Sequence, residues 1–319
     1  MEINLSTFPD GLYQYGGQPV GSSDNVSLMW GGDVWFVDYD SGTVGARGDK
    51  PDAAQKNLQT ILDKAGPWDT IYIKPRAADT TGGDPAAILP ASTSNWDVPY
   101  TAEGLSIIGT GGIGSKASAN ATRLKGSATV NATPVLYAKA PYMTFENLTF
   151  HRGGSTSSGL KLGTGITPYA FSSTVNKCVF WKIGSTATGG ALHINSWHNN
   201  ILNSYFEECY IGINLDASQA NPTGMVIRGC VFGEAAASVS RDITSAGSVL
   251  SVVIDNCVFA HAQPSAGGGN LYVYFGAAST GIISNCQLAT ATSTIATAMT
   301  NNGVLLANVT YAPGTNMTS

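Results

Sequence analysis

Seven copies of one six-residue pattern, recurring every 23 to 30 residues, constrain this chain more than any other feature. They run from Phe145 to Phe150 (FENLTF), Val175 to Phe180 (VNKCVF), Ile201 to Phe206 (ILNSYF) and Ile227 to Phe232 (IRGCVF). Ile254 to Phe259 (IDNCVF), Ile283 to Leu288 (ISNCQL) and Leu306 to Tyr311 (LANVTY) complete the set. Such periods belong to repeat architectures, in which each unit stacks on its neighbours to bury a continuous core.

Each position in the pattern has a physical reading. The first residue is always apolar, so it points inward. The third is Asn five times, Gly once and Lys once. Asn and Gly tolerate left-handed backbone angles, which marks this position as a bend. The fourth and sixth lie two apart and therefore share a face of the next strand. The sixth is aromatic in six copies, and the fourth is Cys178, Cys230, Cys257 or Cys286 in four. A chain that turns a corner around a core once per repeat is a solenoid. Equivalent residues then stack about 4.8 Å apart, as a ladder of rings, a column of amides and a column of thiols. A second strand follows each bend strand. Alternation in Gly159–Leu162, Ala191–Ile194, Ile211–Leu215 and Asn270–Val273 sets Lys161, His193, Asn214 and Tyr272 outward.

The expected fold is therefore all-β: a single-stranded right-handed parallel β-helix, firmest from about Tyr100 to Tyr311. Residues 51–65 read as an amphipathic capping helix, with Leu58, Ile61, Leu62 and Ala65 on one face. The β-helix domain then spans 49–319, and residues 1–48, which lack a clear period, form an extended N-terminal arm. An arm without its own core gains order by packing on a partner.

Composition narrows the function. Only 12% of residues are charged, net charge is −5 and no basic run occurs, which argues against nucleic acid as a partner. No apolar run approaches the roughly 18 residues that span a bilayer. Met1 to Ser6 lacks the basic and apolar regions of a secretory signal, so synthesis in a host cytoplasm is expected. Five Cys without a CxxC pair read as buried free thiols.

The segment from Asp49 to Lys74, with QTILDKA at Gln59–Ala65 and WDTIYIK at Trp68–Lys74, resembles the opening of pectate-lyase-like β-helix proteins. The bend repeats resemble the rest of that superfamily. The resemblance covers roughly Val34 to the C-terminus, and it implies fold more specifically than function. By analogy it is also the layout of tailed-phage virion surface proteins: tailspikes, head fibres and capsid decorations. Enzymes of the superfamily carry an acidic calcium cluster with an Arg base, or Asn-Thr-Asp, Asp-Asp, Gly-His-Gly and Arg-Ile-Lys motifs. None of those strings is present, and no run of Asp falls on neighbouring coils. No cofactor and no metal are expected.

Two candidate surfaces remain. His193, Asn214 and Asp216 project from neighbouring coils and, with Arg241 and Asp242, could form a polar groove that binds sugar. A carboxylate that orients His193 would make it a general base. Glu207 and Glu208 read as a solvated rim. The second surface is the fifth position of the pattern, which faces outward. Val179, Tyr205, Val231 and Val258 make an apolar stripe on four adjacent coils, with Trp181 beside it. Contiguous apolar patches mark interfaces; coverage by the chain's own arm or loops is the competing explanation. The expectation is a non-enzymatic virion surface protein. It would be homo-oligomeric, with a trimer as one closed symmetry, and would attach to capsid or tail subunits through residues 1–48. A host-surface glycan is a further partner. A tailspike-type polysaccharide lyase or glycoside hydrolase, or a glycan-binding module without turnover, is the alternative.

Overall fold

A computed structural model describes residues 13–15, 18–20, 32–76, 87–88, 95–112, 121–126, 134–151, 158–163, 170–183, 190–218, 221–233, 241–260, 272–288, 299–311 and 315–316. Within them the chain winds through three long sheets of ten, ten and eight strands. Successive strands of one sheet come from successive coils and pair in parallel, which makes a right-handed parallel β-helix. Sheet 1 contains the strand before each bend, such as Thr144–Glu146, Thr174–Asn176 and Asn200–Leu202. Sheet 2 contains the strand after it, such as Thr149–His151, Val179–Trp181 and Tyr205–Glu207. Sheet 3 contains Leu160–Leu162, Leu192–Ile194, Ile211–Leu215 and their equivalents.

The pattern maps onto this geometry residue by residue. All seven third positions (Asn147, Lys177, Asn203, Gly229, Asn256, Asn285 and Asn308) have φ between 48° and 63°. The backbone amide of each of the first six donates to a carbonyl on the next coil, from Asn147 N to Asn176 O at 3.1 Å through to Asn285 N to Ala307 O at 3.0 Å. The amide side chains form a less regular column than expected. Asn308 donates to Asn285, but Asn203 donates to Asn176, Asn285 to Asp255 and Asn147 to the Gly109 and Gly111 carbonyls. Asn203, Asn256 and Asn285 are exposed, so they satisfy the bend's rim rather than buried groups.

Inside, Phe150, Phe180, Phe206, Phe232 and Phe259 stack with centroids 4.8 to 5.1 Å apart and planes within 14°. Cys178, Cys230, Cys257 and Cys286 are fully buried free thiols. Each donates to main-chain carbonyls around the bend, as Cys178 does to Phe145 and Asn176. Burial pushes the Cys178 and Cys209 thiols up to about 12.

Three expectations change at the ends of the solenoid. The helix expected over 51–65 contracts to a single 3-10 turn, Pro51–Ala53, and one short α-helix, Leu58–Leu62. Between them Gln55 is committed to bridges with Val37 and Thr43, so the chain cannot be helical there. The apolar face survives: Leu58, Ile61 and Leu62 are buried in the core, and Asn57 caps the helix by accepting from the Gln59 amide. Second, Val34–Val37 pairs in parallel with Thr70–Ile73, so the first rung of sheet 1 lies inside the segment read as arm. Of residues 1–31, the described part is the hairpin Tyr13–Tyr15 with Gln18–Val20. Third, Tyr272 faces inward, fully buried against Phe259 at 5.3 Å. The strand here is Val273–Phe275, and its outward residue is Tyr274.

Candidate functional site

Along sheet 3 the outward residue of each strand follows an inward one, and in most strands a second inward residue comes after it. Leu136 and Ala138, Leu160 and Leu162, Leu192 and Ile194, and Val273 and Phe275 are all fully buried. These residues form one row in unbroken register: Asp97, Tyr137, Lys161, His193, Asn214, Thr244, Tyr274 and Thr300, all half-buried except Thr244, which is buried. Every member can hydrogen-bond, and two are aromatic.

Cations dock on the two tyrosines. Lys139 and Lys161 lie 4.9 and 5.3 Å from the Tyr137 ring centre, and Lys139 also pairs with Asp97 at 2.6 Å. Burial, with Tyr100 and Asp97 nearby, pushes the Tyr137 phenol up to about 12, so it remains a donor. The Arg241 guanidinium stands 3.9 Å from the Tyr274 ring centre and donates to Thr244. That distance is within cation–π range.

His193 and Asp216 meet in the middle of the row. His193 Nε2 and Asp216 Oδ2 are 2.9 Å apart, with the two side chains 13% and 23% exposed. Asp216 also accepts from Asn195 Nδ2 at 3.0 Å and from the Ser218 amide at 2.9 Å. Burial opposes its charge, but these donors together hold the carboxyl well below the usual carboxylate range. A charged Asp216 fixes the imidazole with its Nε2 proton facing the carboxylate.

The rest of the expected groove is not assembled around this pair. Thr244 is two coils from His193, so Arg241 and Asp242 stand about 10 Å farther along the solenoid. Asp242 lies four residues back along its strand from the position level with Asp216. The two carboxylates are therefore offset by roughly 13 Å along the strands, against roughly 6.5–9.5 Å for an inverting pair of carboxyls. Asp242 is also buried and adds to the upward push on the Cys209 thiol. Among the described residues no group of three or more His, Cys, Asp and Glu could hold a metal ion.

The apolar stripe on sheet 2 is less accessible than its sequence suggests. Val179 is 3% exposed, and Trp181, Tyr205, Val231 and Val258 are half-buried. Trp181 belongs to a polar network. His151 stacks on it at 4.3 Å, Arg123 and Lys182 each lie 5.3 Å from its centre, and its Nε1 donates to Glu208. Glu207 is buried rather than a solvated rim, and Glu208 turns away from it through a left-handed angle of 51°.

Sequence reasoning found His193, Asn214 and Asp216 and missed Tyr137, Tyr274, Lys139, Asn195 and Ser218. Tyr137 was signalled by the Leu136-Tyr137-Ala138 alternation. Asn195 extends the alternation of Leu192–Ile194 by one residue, as Asp216 does for Ile211–Leu215, and was passed over; Ser218 lies three residues past its strand, where alternation carries no information.

No protein-family model matches the chain, and no curated protein matches it. Solved structures similar to it include the pectate lyase Pel9A, 15% identical over 88% of this chain and 77% of that one, with a TM-score of 0.48. A rhamnogalacturonan lyase is 13% identical over 88% and 63%, with a TM-score of 0.39. A GH136 lacto-N-biosidase from Eubacterium ramulus is 12% identical over 89% and 56%, with a TM-score of 0.43. This chain thus spans less than two thirds of the latter two. At such identities the likeness concerns the fold and not the activity.

Proposed function

We propose that this chain is a non-enzymatic surface protein of a tailed-phage virion that holds a host-surface glycan along sheet 3. The observation that carries the glycan reading is the outward row from Asp97 to Thr300, eight coils long, without one aliphatic member. Sugars present hydroxyls to polar side chains and C–H faces to aromatic rings, and such a row supplies both. The virion setting rests on the resemblance to phage β-helix proteins. In that setting residues 1–48 engage a capsid or tail subunit, and copies of the chain associate with one another. A broad glycan array, followed by calorimetry on the best ligand, tests the reading. His193→Ala and Tyr274→Ala should each weaken binding about tenfold or more. An array without a single ligand sinks it.

A second reading, glycan cleavage by a tailspike-type lyase or hydrolase, is favoured by one observation: the 2.9 Å contact that orients His193. It requires new reducing ends or unsaturated products from the bound glycan, lost in Asp216→Asn. Binding without such products leaves the first reading standing.

A further inference from the structure

The outward row of sheet 1 changes character along the solenoid. Thr144, Thr174 and Asn200 give way to Val226, Val253, Ile282 and Leu305, one per coil in unbroken register. Leu305 is 69% exposed and the other three are half-buried. Two residues farther along each strand runs a second outward row: Asn176, Leu202, Arg228, Asp255 and Ser284. Arg228 and Asp255 pair across adjacent coils at 3.1 Å, and Arg228 is more than half exposed. Beyond this row the chain turns through a two-residue bend, such as Gly229 and Cys230, straight into sheet 2. Among the described residues no loop rises over the face on that side.

We propose that this face docks a second copy of the same chain, laid antiparallel across it about a two-fold axis that runs along the strands. The order of charges selects that occupant. Arg228 and Asp255 occupy neighbouring coils, so an axis passing between those coils brings Arg228 of each copy over Asp255 of the other. The same rotation sets Val226 on Val253, while Ile282 and Leu305 cover Asn200 and Thr174. Each contact then occurs twice, as an isologous interface requires. A parallel pairing centred on the charged row would set Arg228 on Arg228, and like charges in juxtaposition suppress a wrong partner. The contact is independent of the glycan reading, because it uses a different sheet.

Sedimentation velocity of the full chain over a wide concentration range is the test. The wild-type chain should dimerise with rising concentration, and Val253→Asp or Leu305→Asp should abolish the dimer. Arg228→Asp and Asp255→Arg should each weaken it roughly tenfold or more, because each sets like charges across the axis. An equimolar mixture of those two variants should regain the dimer, since every Asp of one copy then faces an Arg of the other. Restored pairs within a chain cannot produce that rescue, and far-UV circular dichroism with thermal melts checks that each variant folds. A wild-type chain that stays monomeric, a dimer indifferent to Arg228→Asp, or a mixture that stays monomeric overturns the proposal.

Discussion

Asp216 makes a testable demand on pH. Its carboxyl lies below the ordinary carboxylate range when folded, because hydrogen bonds from His193, Ser218 and Asn195 outweigh burial. A depressed carboxyl contributes stability that is fully present above its unfolded pKa of about 3.9 and is lost as pH falls through the folded value. Acid unfolding of the wild-type chain should therefore include a loss below about pH 4 that is reduced in Asp216→Asn. Melting temperatures of both proteins from pH 7 to pH 2 measure it; parallel curves would mean that Asp216 is as comfortable unfolded as folded. The same contacts show which part of the site could be read in advance. His193 and Asp216 were legible because strand alternation and coil spacing set both outward. The offset of Asp242 was not, because it depends on which residue of one coil lies level with which residue of the next. Loops of unequal length set that register, and spacing in sequence does not carry it.

At the scale of the element, the bend is the part most fully legible. One requirement, a residue that accepts positive φ, recurs seven times and selects Asn or Gly in six. Lys177 is the exception, at a φ of 50°. A left-handed angle costs an ordinary L-residue roughly 1–2 kcal/mol, and glycine avoids that cost. Lys177 also pairs with Glu146 at 3.3 Å, but Lys177 is exposed and Glu146 only half-buried, and such a surface pair is worth about 0–1 kcal/mol. Lys177→Gly should thus stabilise the protein only slightly, by about 0.3 kcal/mol once the lost pair and glycine's own entropy are set against the relieved strain. Denaturant unfolding is the measurement, and a lower midpoint for the variant would contradict it. Other elements were less legible because a tertiary contact overrides local preference. The 51–65 segment has helical periodicity throughout, yet Gln55 is drawn into bridges with Val37 and Thr43, and only Leu58–Leu62 remains α-helical. Tyr272 alternates as an outward residue but closes the inner ring stack against Phe259, an option visible only once the ladder exists.

Across the whole molecule, each coil packs chiefly on the coils before and after it, so stability accumulates along the axis rather than around one centre. A central ring such as Phe232 is held on both sides, 4.9 Å from Phe206 and 5.0 Å from Phe259. Removing it opens a cavity that neither neighbour can fill without giving up its own contacts. Leu306 occupies the inward position of the last pattern copy, yet it is only half-buried, and among the described residues its strand Leu305–Ala307 pairs on one side alone. Equal truncations therefore carry unequal costs. Phe232→Ala should lose roughly 3–5 kcal/mol, as large buried rings do, whereas Leu306→Ala should fall at or below the roughly 2 kcal/mol lower end for buried leucines. The effects should also differ in reach. Loss at Phe232 weakens two coil interfaces and should raise amide exchange in the strands on both sides, Tyr205–Glu207 and Val258–Phe259. Loss at Leu306 should raise exchange only in the final coils. Hydrogen exchange read by mass spectrometry on both variants separates these patterns. Uniform exchange changes along the chain in either variant would mean that the solenoid unfolds as one unit and that the coil-by-coil picture fails.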